Sequence, residues 1–222
     1  LNQHSFSDFQ TIPANKKNLI QTTFGSSGQM WLTTLESLRE EAINLWDLRL
    51  ISELESVDGR FQYTVSEDGV TAVVDYAHTA DALDKVLTTL RGTGWIGKII
   101  TVFGATGDRD KSKRPIMWEV VSRLSDMVVL TQDDDYSEKT VNIIKDVLPW
   151  IERKEWEDFW IIPDRQEAIR TAIMTAEKDD AILIAGKWDE HLLLTNDGAM
   201  EWHDKTEVLK ILSEIEENEI VK

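Results

Sequence analysis

The sequence predicts an α/β domain: an open, Rossmann-like, mostly parallel sheet flanked by helices, preceded by a small α+β segment. Three observations carry that expectation. From about residue 71 onwards, short apolar runs alternate with stretches of helical periodicity. Each run is nearly all apolar and is bounded by glycine, proline or charge, as in strands buried on both faces. The intervening stretches have the length of right-handed βαβ crossovers.

The expected strands are TAVVDY (71–76), KIITVFG (98–104), DMVVLT (126–131), FWII (159–162) and AILIAG (181–186). Helices are expected at about 80–91, 114–124, 138–152 and 164–178, and a last one at about 204–217. Thr79, followed by Ala80, Asp81 and Ala82, suits an N-cap with an acidic first turn. Pro115 falls where a first helical turn tolerates proline. Asp164, three residues before Glu167, has the pattern of a capping box.

The first 56 residues read differently. A polar, turn-rich stretch containing GSSGQ gives way to WLTTLESLREEAINLWDLRLISELE, which has helical spacing. A segment this small cannot bury a core of its own. A boundary is therefore expected near residue 56, with the α/β domain occupying 57–222. The chain begins at Leu1 without a methionine, as expected of a piece of a longer protein.

Composition narrows the function classes. The net charge of −17 opposes general nucleic-acid binding. No apolar run approaches the ~18 residues that span a bilayer, so no membrane segment is expected. The absence of cysteine excludes disulfides and thiolate metal sites and fits a cytoplasmic location. No G-x-x-x-x-G-K-[ST] loop is present to cradle a triphosphate, and HExxH and GxSxG are absent too.

In open parallel sheets, ligands bind beyond the carboxyl ends of the strands. Those ends offer Asp75 and His78, then Gly104, Gly107 and the run Asp108 to Arg114. They also offer Asp133, Asp134, Asp135 and Tyr136, then Asp164 and Arg165, and finally Gly186, Lys187 and Glu190. The run 108–114 holds six ionisable side chains in seven positions, four of them cations. Beside glycines and a helix start, it reads as an anion site. Taken singly, His78 also fits a hydrogen-bonded histidine at a helix start, and Asp75 a turn cap. Asp133–Asp135 also fit a solvated loop, and Lys187 with Glu190 a surface ion pair. The nine tryptophans suggest packing and no particular chemistry.

DGRF (58–61), VVDYAHTADAL (73–83), VFGATGDRDKSKRPIM (102–117), TQDDDYSE (131–138), PDRQEAI (163–169) and AGKWDEH (185–191) occur in that order. Together they resemble the C-terminal domain of the Mur ligases over roughly residues 57–210, most closely the branch that adds the third residue of the peptidoglycan stem peptide. Residues 1–56 faintly resemble the end of that family's central domain.

The resemblance implies part of an ATP-dependent amide ligase. Such an enzyme converts the carboxylate of a UDP-N-acetylmuramoyl-dipeptide into an acyl phosphate, which the amine of an amino acid attacks. ATP and Mg2+ would be held mainly by the central domain, so no catalytic residue and no metal ligand is expected here. The 222 residues alone are expected to be inactive. Arg60 and Asp75 would contact ATP. Arg109, Asp134, Tyr136, Gly186 and Glu190 would receive the incoming amino acid, and His78 and Lys113 would organise domain closure.

The sequence also departs from the family. Where diaminopimelate enzymes carry D-N-P-R, this chain has Asp133, Asp134, Asp135 and Tyr136. The loss of that arginine, and the acidity of the loop, favour a lysine- or ornithine-like diamino acid. Trp188 and Asp189 replace the Gly-His of AGKGHE. Two alternatives stand beside the ligase reading: a non-catalytic binding or regulatory module derived from a Mur ligase, and a related amino-acid polymer ligase.

Overall fold

The computed structural model describes residues 61–220, apart from 95, 156 and 188–190. The chain divides into two units, Leu1–Glu55 and Ser56–Lys222, and all described residues lie in the second. The expectations for 1–56, and those for Arg60, Trp188, Asp189 and Glu190, fall outside the described residues.

In chain order the elements are β1 (Gln62–Val65), β2 (Thr71–Asp75), α1 (Ala80–Gly92), β3 (Ile99–Phe103), α2 (Lys113–Leu124) and β4 (Met127–Leu130). There follow α3 (Thr140–Val147), β5 (Phe159–Ile161), α4 (Arg165–Thr175), β6 (Ala181–Ala185), β7 (Leu192–Thr195), β8 (Gly198–Glu201) and α5 (Asp204–Ile220). The six-stranded sheet runs β1-β2-β6-β3-β4-β5. All its pairings are parallel except that of β1, which lies antiparallel on β2 with Gln62 opposite Val74.

The all-apolar strands are sorted by the period-2 alternation of side chains. Val73, Ile99, Phe103, Val128, Leu130 and Leu183 face α1, α2 and α3, where Leu83, Val86, Trp118, Val121 and Val147 complete the layer. Ala72, Val74, Ile100, Val102, Val129, Ile182 and Ile184 face the other way. They pack with Ala168, Ile169 and Ala172 of α4 and with Val208, Ile211 and Leu212 of α5. Both faces are covered, so the strands read as continuous hydrophobic runs. Trp118 stacks edge-on with Phe159 and donates its indole N–H to the Trp150 carbonyl, so this tryptophan serves packing.

The expected N-caps form. Thr79 Oγ1 accepts from the Ala82 N–H at 3.2 Å, and Asp164 Oδ1 from the Glu167 N–H at 2.9 Å. The third helix is shorter than the expected 138–152. It begins at Thr140 and tightens into a 3-10 turn at Leu148–Trp150. Pro149 has no N–H to return to Lys145, so the α-helical ladder cannot continue. The fourth helix ends at Thr175, where Ala176 turns extended. Two features were not expected from the sequence: the edge strand β1 and the β7–β8 hairpin.

Candidate functional site

The loops after β2, β3, β4 and β6 line a cleft of about 320 Å³ at the carboxyl ends of the strands. Its walls include Tyr76 and His78 from the first loop, Arg109 and Lys113 from the second, Asp133, Asp134 and Tyr136 from the third, and Gly186 and Lys187 from the fourth. Helix packing adds Met117.

Close approach of two backbones explains the glycines of FGATGDRD. A Cβ at Gly107 would lie 1.9 Å from the Asp135 carbonyl oxygen, and one at Gly104 would lie 2.9 Å from the Asp133 nitrogen. The loops after β3 and β4 are joined at this crossing. The Gly107 N–H donates to the Asp134 carbonyl at 2.7 Å. Asp108 accepts from both the N–H and the hydroxyl of Ser137, at 3.0 and 2.7 Å.

The four cations of residues 109–114 do not act as one patch. Arg114 is buried, 2% exposed, and spends its guanidinium on Glu138 at 2.9 Å, Asp146 at 2.5 Å and the Thr106 carbonyl at 3.2 Å. Lys111 pairs with Glu138 at 2.7 Å. Hydrogen bonds from Arg114 and Lys111 hold the Glu138 carboxyl down at about 2. That leaves Arg109 and Lys113, both exposed and, among the described residues, without an ion-pair partner. Both border the cleft. The Arg109 guanidinium lies 5.4 Å from the centre of the Tyr136 ring.

The acidic triplet faces inward and is not a solvated loop. Asp133, Asp134 and Asp135 are all buried. Asp134 pairs with Lys187 at 2.6 Å, and both side chains are nearly inaccessible, at 9% and 1%. Lys187 is therefore no part of a surface pair. Asp135 accepts from Thr140 Oγ1 at 2.5 Å, and its other oxygen is buried without a hydrogen-bond partner among the described residues. Burial raises the carboxyl pKa of both Asp133 and Asp135.

Behind the cleft floor, Arg165 forms a second buried pair with Asp204, at 2.7 and 2.8 Å. It also caps the Gln132 and Ala185 carbonyls at the ends of β4 and β6. Burial opposes ionisation of Asp204, but Arg165 outweighs it and holds the carboxyl below its ordinary range.

Of the other expected site residues, Asp75 lies at the end of β2 and does not line the cleft. Its oxygens accept from the Phe61 and Ala77 N–H groups, each at 2.8 Å. His78 borders the cleft, exposed, with Nδ1 2.9 Å from the Tyr76 carbonyl. Gly186, at φ +112°, turns the chain where a Cβ would come within 2.9 Å of Asp133 Oδ2. Glu138 shapes the site without having stood out in the sequence, whereas Arg114 and Lys187 were singled out there but for other roles than the buried pairs they make. For Lys187 a signal existed: it lies two residues beyond an entirely buried strand. Among the described residues, no group of three or more histidine, aspartate or glutamate side chains is placed to hold a metal ion. No helix among them is long and apolar enough to cross a membrane.

Residues 59–188 match the family described as Mur ligase, glutamate ligase domain. The chain is 46% identical over 164 residues to the UDP-N-acetylmuramoyl-L-alanyl-D-glutamate–2,6-diaminopimelate ligase of Bacteroides thetaiotaomicron, covering 73% of this chain and 34% of that protein. For the protein of the same name from Bacteroides fragilis the identity is 47% over 161 residues, covering 72% and 33%. The chain thus spans about a third of the length of the curated relatives it matches. A solved diaminopimelate ligase of this type aligns with a TM-score of 0.65 at 29% identity, over 84% of this chain and 38% of that one. The UDP-N-acetylmuramate-alanine ligase of Thermotoga maritima shares the fold, with a TM-score of 0.50 at 15% identity, over 83% and 36%.

The expected preference for lysine or ornithine is not supported. The relatives are named for 2,6-diaminopimelate. The loop acidity, one of the two grounds of the expectation beside the missing arginine, is consumed internally by Lys187, Thr140 and burial. The chain belongs to the Mur ligase family and carries its C-terminal domain.

Proposed function

We propose that this chain, as residues 57–222 of its numbering, forms the amino-acid-receiving wall of an ATP-dependent ligase in cytoplasmic peptidoglycan synthesis. The ligase would add 2,6-diaminopimelate to a UDP-N-acetylmuramoyl-dipeptide by way of an acyl phosphate. The observation that carries the reading is the cleft itself. Two cations, Arg109 and Lys113, stand exposed on the cleft at the carboxyl ends of a parallel sheet and, among the described residues, have no ion-pair partner, whereas the buried Arg114, Arg165 and Lys187 are each paired.

Arg109 offers a planar fork to a carboxylate, a geometry that lysine does not reproduce. Lys113, the first residue of α2, suits phosphate oxygens brought up by a closing domain. Asp75, whose carboxylate accepts from the Phe61 and Ala77 N–H groups, would meet the ATP ribose. Tyr136, Gly186 and Glu190 would meet the distal end of the amino acid, and Arg60 the γ-phosphate. His78 stands at the rim that closure would cover. ATP and Mg2+ would be held by the rest of the enzyme.

The test is steady-state kinetics of the full-length ligase with ATP, the UDP-dipeptide, and meso-diaminopimelate, lysine or ornithine in turn. Diaminopimelate is expected to be preferred. Arg109→Ala is expected to raise KM for it by about 10- to 100-fold, the worth of a charged hydrogen-bonded pair. An unchanged KM, or a preference for lysine, would refute the reading.

A further inference from the structure

Asp134 is where several segments of the cleft meet. Its Oδ1 accepts from Lys187 Nζ at 2.6 Å and from the Leu194 N–H of β7 at 2.9 Å. Its carbonyl accepts from the Gly107 N–H at 2.7 Å, and the next residue, Asp135, donates its N–H to the Leu194 carbonyl at 2.7 Å. The end of β6, the hairpin and the loop after β3 are thus fastened to one residue. Lys187 is the only one of these partners that brings a charge, and Asp134 would otherwise be a buried carboxylate beside another, Asp133.

What this junction holds is a strained turn. Tyr136 has φ +51° and Asp108 φ +53°. For a bulky residue such as tyrosine, that conformation is strained and persists only where the surroundings fix it. The fixing contacts are on both sides: Ser137 on Asp108, and Asn196 of the hairpin on the Ser137 carbonyl at 3.1 Å. The outcome is the Tyr136 ring set against Arg109.

We propose that Lys187, acting through its buried ion pair with Asp134, is the positioning residue that holds Tyr136 against Arg109 and so orients the guanidinium towards a carboxylate ligand. This rests on the reading of the cleft as the amino-acid site. Asp134 is then a positioning residue as well, its Oδ1 taken up by Lys187 and the Leu194 N–H.

The experiment compares the wild type with Lys187→Met and with the neutral pair Asp134→Asn/Lys187→Gln. In the 222-residue chain, amide exchange and the ring-current shift of Tyr136 on the Arg109 side chain are read by NMR. Lys187→Met is expected to speed exchange of the Gly107, Asp135 and Leu194 amides about tenfold or more while Val73 and Leu183 of the sheet keep their rates. The Arg109 ring-current shift should disappear, and the neutral pair should recover most of both signals. In the full-length ligase, Lys187→Met should raise KM for meso-diaminopimelate about tenfold and leave KM for ATP in place.

Unchanged exchange and a persisting ring-current shift would overturn the proposal. So would equal acceleration throughout the sheet, which assigns Lys187 to the fold alone, or loosened loops with an unchanged KM for diaminopimelate. Should the wild-type ligase not use diaminopimelate, the functional reading falls, and the NMR signals alone decide the positioning role.

Discussion

Glu138 allows the electrostatics of the cleft wall to be tested without any ligand. Its carboxylate accepts from Arg114 at 2.9 Å, Lys111 at 2.7 Å and the Asp108 N–H at 2.8 Å. These contacts depress its pKa from an ordinary 4.5 to about 2. At ~1.36 kcal/mol per pH unit, that gap is worth about 3.4 kcal/mol as an upper bound. The side chain is 14% exposed, and solvent screening brings the expected contribution to about 2–3 kcal/mol. Because the folded pKa lies below the unfolded one, this stability is fully present above pH 4.5 and drains away as pH falls towards 2.

The perturbation is Glu138→Gln, which keeps the shape and an acceptor and removes the charge. Urea unfolding of the wild type and the variant, followed by tryptophan fluorescence, is run from pH 7 down to pH 3. Carboxyl NMR of Glu138 is run alongside. The variant is expected to be about 2–3 kcal/mol less stable at pH 7, with the difference constant to about pH 5 and shrinking below 4.5. A difference below about 0.5 kcal/mol at pH 7, the size of an ordinary surface substitution, would refute the reasoning. So would a Glu138 titration centred above pH 4.

Three further outcomes are expected. Gly107→Ala drives a Cβ into the Asp135 backbone, 1.9 Å from its carbonyl oxygen, and should cost about 3 kcal/mol or more by thermal or urea unfolding. Arg165→Met leaves Asp204 charged and buried, and should cost about 3–5 kcal/mol in the same assay. Asp135→Asn should stabilise the chain at pH 7, since burial raises the Asp135 pKa and its ionisation opposes folding. That gain should vanish on acidification through the ordinary aspartate range, because there the wild-type carboxyl is already neutral.

The sheet and its helices were legible in the sequence because parallel strands buried on both faces leave uninterrupted apolar runs, and β2, β3, β4 and β6 do so. The hairpin was harder to see. Its turn at Asn196-Asp197 and Gly198 is a recognisable signal, but LLLT and GAME lack the alternation that marks a half-buried strand. At the cleft, residue type was legible and direction was not. Arg109 and Arg114 stand five positions apart in one charged run, yet one is exposed and the other is sealed between Glu138 and Asp146, residues 24 and 32 positions away. Likewise three consecutive aspartates read as a solvated loop until the Lys187 pair and the Thr140 bond show where they turn.

The inward turn of that triplet has a consequence for how such a cleft changes over evolutionary time. Of the four residues Asp133 to Tyr136, only Tyr136 is displayed at the surface. The other three are joinery, their side chains turned to partners within the protein. On the proposed function, the loop would behave as a holder with one interchangeable bit, residue 136, exchanged while the walls around it stay assembled.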